Sequence, residues 1–162
     1  MRSGHEESER RRSYEFEAFV GGAAGRLLHV AALLTCEDAK ACDQLLCHAL
    51  SRAYLNWTRL RGEDPYAYAR QELVLAYARR AGARWLHREP RDGRLSRLTA
   101  QERLVLVLRL YEGVDEEQVA ALLGMPVDRV RAVCARACNT LRSTPPAAAA
   151  PVAVPAVAGG AR

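Results

Sequence analysis

The chain has 162 residues, of which 49% are hydrophobic, much of that alanine, and only 6% aromatic. β-branched runs bounded by turn residues are nearly missing, which excludes a sheet protein and leaves one or two small helical domains. A formal charge of +5 fits a polyanionic partner without demanding one. Cys36, Cys42, Cys47, Cys134 and Cys138 are odd in number with no close C-x-x-C pair, which argues against a disulfide framework.

The elements are expected in the following order. Residues 1–13 are polar and of mixed charge, and read as a disordered N-terminus without the apolar stretch of a signal peptide. A first helix is predicted from about Tyr14 to Leu34. Phe16, Phe19, Val20, Leu27, Leu28, Ala31 and Leu34 form its stripe, and Gly21, Gly22 and Gly25 weaken its middle. Thr35 is the expected cap of a second helix, with Asp38 as its capping-box acid. Cys42, Leu45, Leu46, Ala49, Ala53 and Trp57 follow the helical period along it. Asp64 and Pro65 open a third helix running to about Leu86, with Ala69, Leu73, Ala76, Tyr77 and Arg80 on neighbouring faces.

The hydrophilic break around His87–Arg97 marks a domain boundary, giving one domain at 14–86, a linker at 87–98 and a second domain at 99–142. Fully extended, about a dozen linker residues reach roughly 40 Å. Thr99 with Glu102 is a capping box that opens a helix stopped by Gly113. Asp115 opens a short helix carrying Val119, Leu122 and Leu123, Gly124 makes a tight turn, and Pro126 starts the last helix. Residues 143–162, with repeated Pro and Ala, read as a disordered tail. No run is apolar and long enough to span a bilayer, so the reading is cytoplasmic, with no membrane partner.

The last helix carries the strongest functional signal. Val127, Val130, Cys134, Ala137 and Leu141 form an apolar stripe at steps of three and four; Arg129, Ala132, Arg136, Asn139 and Thr140 lie opposite, with Arg131 on the flank. A recognition helix needs this division: one face held by two preceding helices, the other slim and rich in long donors that reach bases and phosphates. An ordinary surface helix shows the same spacing, and the Gly124-x-Pro126 turn after a short helix tilts the reading to DNA. Around the second turn, Tyr54, Trp57, Arg59, Arg61, Tyr66, Tyr68 and Arg70 bring together rings and cations of the kind that grip single strands. Each of them taken singly fits a core ring or a solvated arginine better.

The cysteines with His48 lack metal-ligand spacing, so no metal is expected and buried thiols are the better account. No catalytic triad, phosphate loop or H-E-x-x-H is present, so neither enzymatic activity nor a cofactor is expected. Asp115, Glu116 and Glu117 stand where a helix N-terminus favours negative charge.

Taken together, the segments FEAFVGGAAGRLLHVAALLT, ACDQLLCHALSRAYLNW, DPYAYARQELVLAYARRAGARW and LTAQERLVLVLRLYEGVDEEQVAALLGMPVDRVRAVCARACNTLR resemble the RNA polymerase sigma factors of the extracytoplasmic-function type, sigma-E-like subfamily. The resemblance implies an all-α chain of two small helical domains. The first is region-2-like; the second is a helix-turn-helix of region 4 type, a winged-helix-like DNA-binding domain. It implies a bacterial transcription initiation factor whose partners are RNA polymerase core, promoter DNA and an anti-sigma or other regulator. Core docking falls to Asp43, Gln44, Leu45, Leu46, Cys47 and His48, promoter melting to Trp57, Arg59, Arg61, Tyr66 and Arg70, and duplex reading to Arg129, Arg131, Ala132, Arg136 and Asn139.

The docking helix departs from the family's D-L-L-Q-D pattern, with Gln44, Leu45, Leu46, Cys47 and His48 in its place. The linker is also shorter than usual. Both departures keep open a second reading: a sigma-like DNA-binding regulator that no longer docks productively on polymerase core.

Overall fold

The computed structural model describes residues 2–36, 38–83 and 94–143, and among these it contains helices and turns but no strand. Helix α1 spans Arg2–Thr35, α2 Ala39–Leu55 and α3 Pro65–Ala83. A 3-10 turn at Arg94–Arg97 leads to α4, Ala100–Leu106, which widens into a π-helical turn at Val107–Tyr111. Helices α5, Glu116–Leu123, and α6, Val127–Arg142, complete the chain. The expected linker lies largely outside the described residues, as do the end predicted for α3 and all but the first residue of the Pro/Ala tail.

Helix α1 begins earlier than the sequence suggests. Arg2–Ser13, which composition reads as disordered, continue the helix. Two contacts fasten this extension: Arg11 pairs with Glu15 one turn on, and Arg12 lies over the Tyr54 ring while donating to the Tyr54 carbonyl at 2.7 Å. The helix runs unbroken through Gly21, Gly22 and Gly25, and none of them admits a close neighbour, since a Cβ at each would meet open space. From Glu6 to Thr35 this helix is long and apolar enough to cross a membrane, with a mean hydropathy of 1.4 over its richest window. No such run is expected from the sequence; 33% of that window is buried, and Ala23, Leu27, Val30, Ala31 and Leu34 of α1 pack against other helices.

The start of α2 differs in its cap. Thr35 is still the last residue of α1, and its hydroxyl donates back to the Ala31 carbonyl at 2.8 Å. Asp38 takes the cap instead, accepting the Ala41 N–H at 3.0 Å. Asp64 does the same for α3, accepting from the Tyr66 N–H at 2.9 Å, with Pro65 at the first helical position as expected. Both halves of the Thr99–Glu102 capping box are present on α4.

Helices α1, α2 and α3 pack on one another, and α4, α5 and α6 form a second trio. A continuous apolar core runs through both, from Leu27 and Leu73 to Leu108 and Val130. Arg103 of α4 reinforces the join. It donates to the Leu34 carbonyl at the end of α1, the Tyr77 hydroxyl of α3, and the Leu95 and Leu98 carbonyls. The Leu34 carbonyl belongs to the last turn of a helix, where acceptors lack intrahelical partners and a cation is favoured.

Candidate nucleic-acid interface

The C-terminal trio sets the orientation of α6 through two left-handed turns. Gly113 has φ 67° and ends the π-helical turn; Gly124 has φ 63° and ends α5. A side chain at either position would be strained, so glycine is the residue these turns require. The Met125 N–H folds back to the Ala120 carbonyl at 3.0 Å, and Pro126 sits at the cap of α6, one residue before its first helical position. Helix α6 then buries Val130, Val133 and Ala137, with Val127 and Cys134 half-buried against the same core. Val133, outside the predicted stripe, is buried while Cys134 is half-buried, a rotation of roughly an eighth of a turn from the predicted face. Burial pushes the Cys134 thiol above its ordinary value, with Cys138 beside it acting in the same direction, so Cys134 is an uncharged packing group.

Opposite that stripe, Arg129, Arg131, Ala132, Arg136 and Asn139 are all exposed. Arg131 donates to Glu116 at 2.6 Å and to Asp128 at 3.2 Å. Glu116 also meets Arg109, so the start of α5 is tied to both neighbouring helices. Arg136 donates through Nε to Glu102 at 3.1 Å, yet 62% of its side chain stays exposed. Glu102 is therefore both the capping acid of α4 and the anchor of Arg136. Its burial works to raise the carboxyl, but the Thr99 N–H and hydroxyl and the Arg136 guanidinium outweigh it and hold the group below the usual range. Arg129 makes no ion pair among the described residues. The face is cationic, slim at Ala132, and partly pre-ordered by its anchors.

The α2–α3 corner is built differently. Arg59 and Arg61 are exposed on the turn, where Gly62 takes φ 93°. Trp57 is half-buried and packs edge-on to Phe16 and tilted against Phe19. Tyr54 joins the same aromatic group through Phe16, while Tyr68 is held by Asn56 at 3.0 Å. Tyr66 and Arg70 turn away from this group to Glu112, at the end of the π-helical turn. The Tyr66 hydroxyl donates to Glu112 Oε1 at 2.9 Å and Arg70 to Oε2 at 3.0 Å. Arg26 of α1 donates to Oε1 at 3.0 Å and lies over the Tyr66 ring. Burial, with the hydrogen bond to Glu112, pushes the Tyr66 phenol well above its ordinary value, so it remains a donor.

On α2, Asp43, Gln44 and Cys47 are exposed and Leu46 and His48 are half-buried. Leu45 is buried at 1% exposure and faces the core instead of a partner. His48 lies 3.7 Å from Glu72, which also pairs with Arg52. Among the described residues, no group of three or more His, Cys, Asp or Glu side chains is placed to hold a metal.

Sequence reasoning passed over Glu112, Arg26, Arg103 and the anchoring role of Glu102. One signal pointed to the first of these. Glu112 precedes the terminating glycine of a helix, where the dipole disfavours an acid, so a specific cationic partner is needed to hold it there.

Residues 94–143 match the family model described as Sigma-70, region 4. A search of curated proteins finds no match to the chain. The match begins at the 3-10 turn, five residues before the predicted start of the second domain at Thr99, and ends just past α6. This segment is a helix-turn-helix of a DNA-binding, non-enzymatic domain family, and it gives the protein a sigma-factor-like DNA-binding role.

Proposed function

We propose that the protein is a bacterial sigma factor, of the extracytoplasmic-function type and the sigma-E-like subfamily, that binds RNA polymerase core and promoter DNA and directs transcription initiation in the cytoplasm. One observation supports this most: within the region 4 match, α6 is held by two glycine turns and carries Arg129, Arg131 and Arg136 on its solvent face. In this reading residues 14–86 act as the region-2-like unit and 99–142 as the duplex-reading unit. Helix α6 enters the major groove of the upstream element, Arg136 and Arg129 contacting bases or phosphates and Ala132 allowing close approach.

The first unit docks on core through Asp43, Gln44, Leu46, Cys47 and His48, with Leu45 supporting the helix from behind. Its turn, with Trp57, Arg59, Arg61, Tyr66 and Arg70, receives the unpaired strand. An anti-sigma or other regulator is the expected restraint.

The test is co-purification with RNA polymerase core, followed by binding to a duplex carrying a promoter. The protein is expected to co-elute with core and to bind duplex with affinity falling steeply as salt rises. Duplex binding without any retention on core rejects the sigma-factor reading. Absence of both, with core present, rejects a DNA-binding role for α6.

A further inference from the structure

Glu112 is an acid with no exposed side-chain surface, held by three donors from the other half of the molecule. Arg26 and the Tyr66 hydroxyl meet one oxygen, and Arg70 meets the other. Two guanidinium groups face a single carboxylate, so the cluster keeps one positive charge in excess. Paired oxygens met by a phenol and two guanidinium groups are also what a phosphodiester presents and needs, because its two non-bridging oxygens carry one negative charge. The donors are not sealed in. Arg26 is 51% exposed, so the cluster opens to solvent on the α1 side, while Arg70 at 19% forms its floor.

Two features make the carboxylate a removable occupant. It sits at the end of a π-helical turn, a rare hydrogen-bonded geometry that occurs mostly as a single turn and often at functional sites. Of the adjoining residues, Leu110 is exposed at 63%, and Tyr111, exposed at 42%, stacks on His29 of α1, so the hold of this turn on the other half is partly open to solvent. Two of the three donors, Tyr66 and Arg70, belong to the corner that faces the unpaired strand in the function proposed above.

We propose that Arg26, Arg70 and Tyr66 form a cradle for a backbone phosphate of single-stranded DNA, which the Glu112 carboxylate fills in the closed protein and yields when the strand arrives. The inference rests on the proposed function, and it adds Arg26 to the strand-binding surface and gives Glu112 the role of an internal competitor. Movement of the α4 end away from α1 and α3 frees the donors, so strand capture and separation of the two halves are one equilibrium.

The test compares the full chain with Glu112→Gln, which keeps the size of the side chain and removes its charge. A labelled single-stranded oligonucleotide of mixed sequence and a duplex of the same length serve as probes. Glu112→Gln is expected to bind the single strand about fivefold or more tightly, the lower end of ordinary coupling between sites. Its salt dependence should steepen by about 0.7 in the log–log slope for each phosphate newly contacted. Adding Arg26→Gln is expected to abolish that gain. Equal single-strand affinity of the two proteins, an equal gain on duplex, or a gain that survives Arg26→Gln each overturns the cradle.

A second measurement uses the wild-type chain alone. The Arg26 Nε–H resonance should shift on adding single strand and stay in place with duplex, and an unmoved resonance at saturating single strand overturns the cradle. Duplex affinity reads α6 independently, so its loss would count against the broader function, while failure of the single-strand comparison counts against the cradle alone.

Discussion

The α6 face and the α2–α3 corner both bring cations to the surface, and they are restrained in opposite ways. On α6, the acids that hold the arginines lie within the same half of the molecule: Glu116 and Asp128 for Arg131, Glu102 for Arg136. These contacts steady side chains that remain exposed. At the corner, Tyr66 and Arg70 are held by Glu112, distant in sequence by 46 and 42 residues. That contact covers the groups it binds. A local acid orders an arginine for a partner, whereas an acid from the other half competes with the partner.

The largest expected effect breaks the comparison by removing the core that both regions share. Leu108 is fully buried among residues of both halves, and Leu108→Ala should cost about 2–5 kcal/mol. Urea unfolding followed by helical signal should still show one transition, displaced to lower urea; two separate transitions would mean that the halves are held independently. Arg103→Ala comes next. It removes a donor from the Leu34, Leu95 and Leu98 carbonyls and from the Tyr77 hydroxyl, with an expected loss of roughly 1–3 kcal/mol. Calorimetric melting of the variant checks this, and an unchanged midpoint would mean that water replaces the guanidinium.

Two further effects, no larger than the last, sharpen the α6 side. Arg136→Ala should lose roughly 1–3 kcal/mol of promoter discrimination if the side chain reads a base, and weaken all sequences evenly if it only meets phosphate. Affinities on a cognate duplex and a scrambled one separate these outcomes. The smallest effect is a pH dependence. The Glu102 carboxyl is held below its unfolded value of about 4.3, so its contribution is present above that pH and fades as pH falls through the lower folded value. Stability of Glu102→Gln should therefore fall less steeply on acidification than that of the wild type in that window. Parallel curves would remove the assigned role of the anchor.

The same contrast explains what was legible in the sequence. Local signals carried through: the Thr99–Glu102 box, Asp64 before Pro65, the glycine stops at 113 and 124, and the division of α6 into two faces. Val133 was hidden because it and Cys134 lie three and four residues after Val130, and both steps satisfy helical spacing. Thr35 and Asp38 are both good caps, and only the length of α1 decides between them. Arg26, and the reach of Arg103 to Leu34 and Tyr77, were illegible because those partners lie far away in sequence; Glu112 showed only as an acid out of place at a helix end, without its partners. The N-terminal turns of α1 were missed for the same reason, since Arg12 is anchored on Tyr54.

Transcription from a promoter library by purified core polymerase, with and without the protein, tests the central claim most directly. The account predicts a discrete set of transcript starts that appears only with the protein and disappears with Arg129→Ala/Arg136→Ala. A transcript profile identical with and without the wild-type protein, under conditions where a known initiation factor is active on the same core, would contradict it.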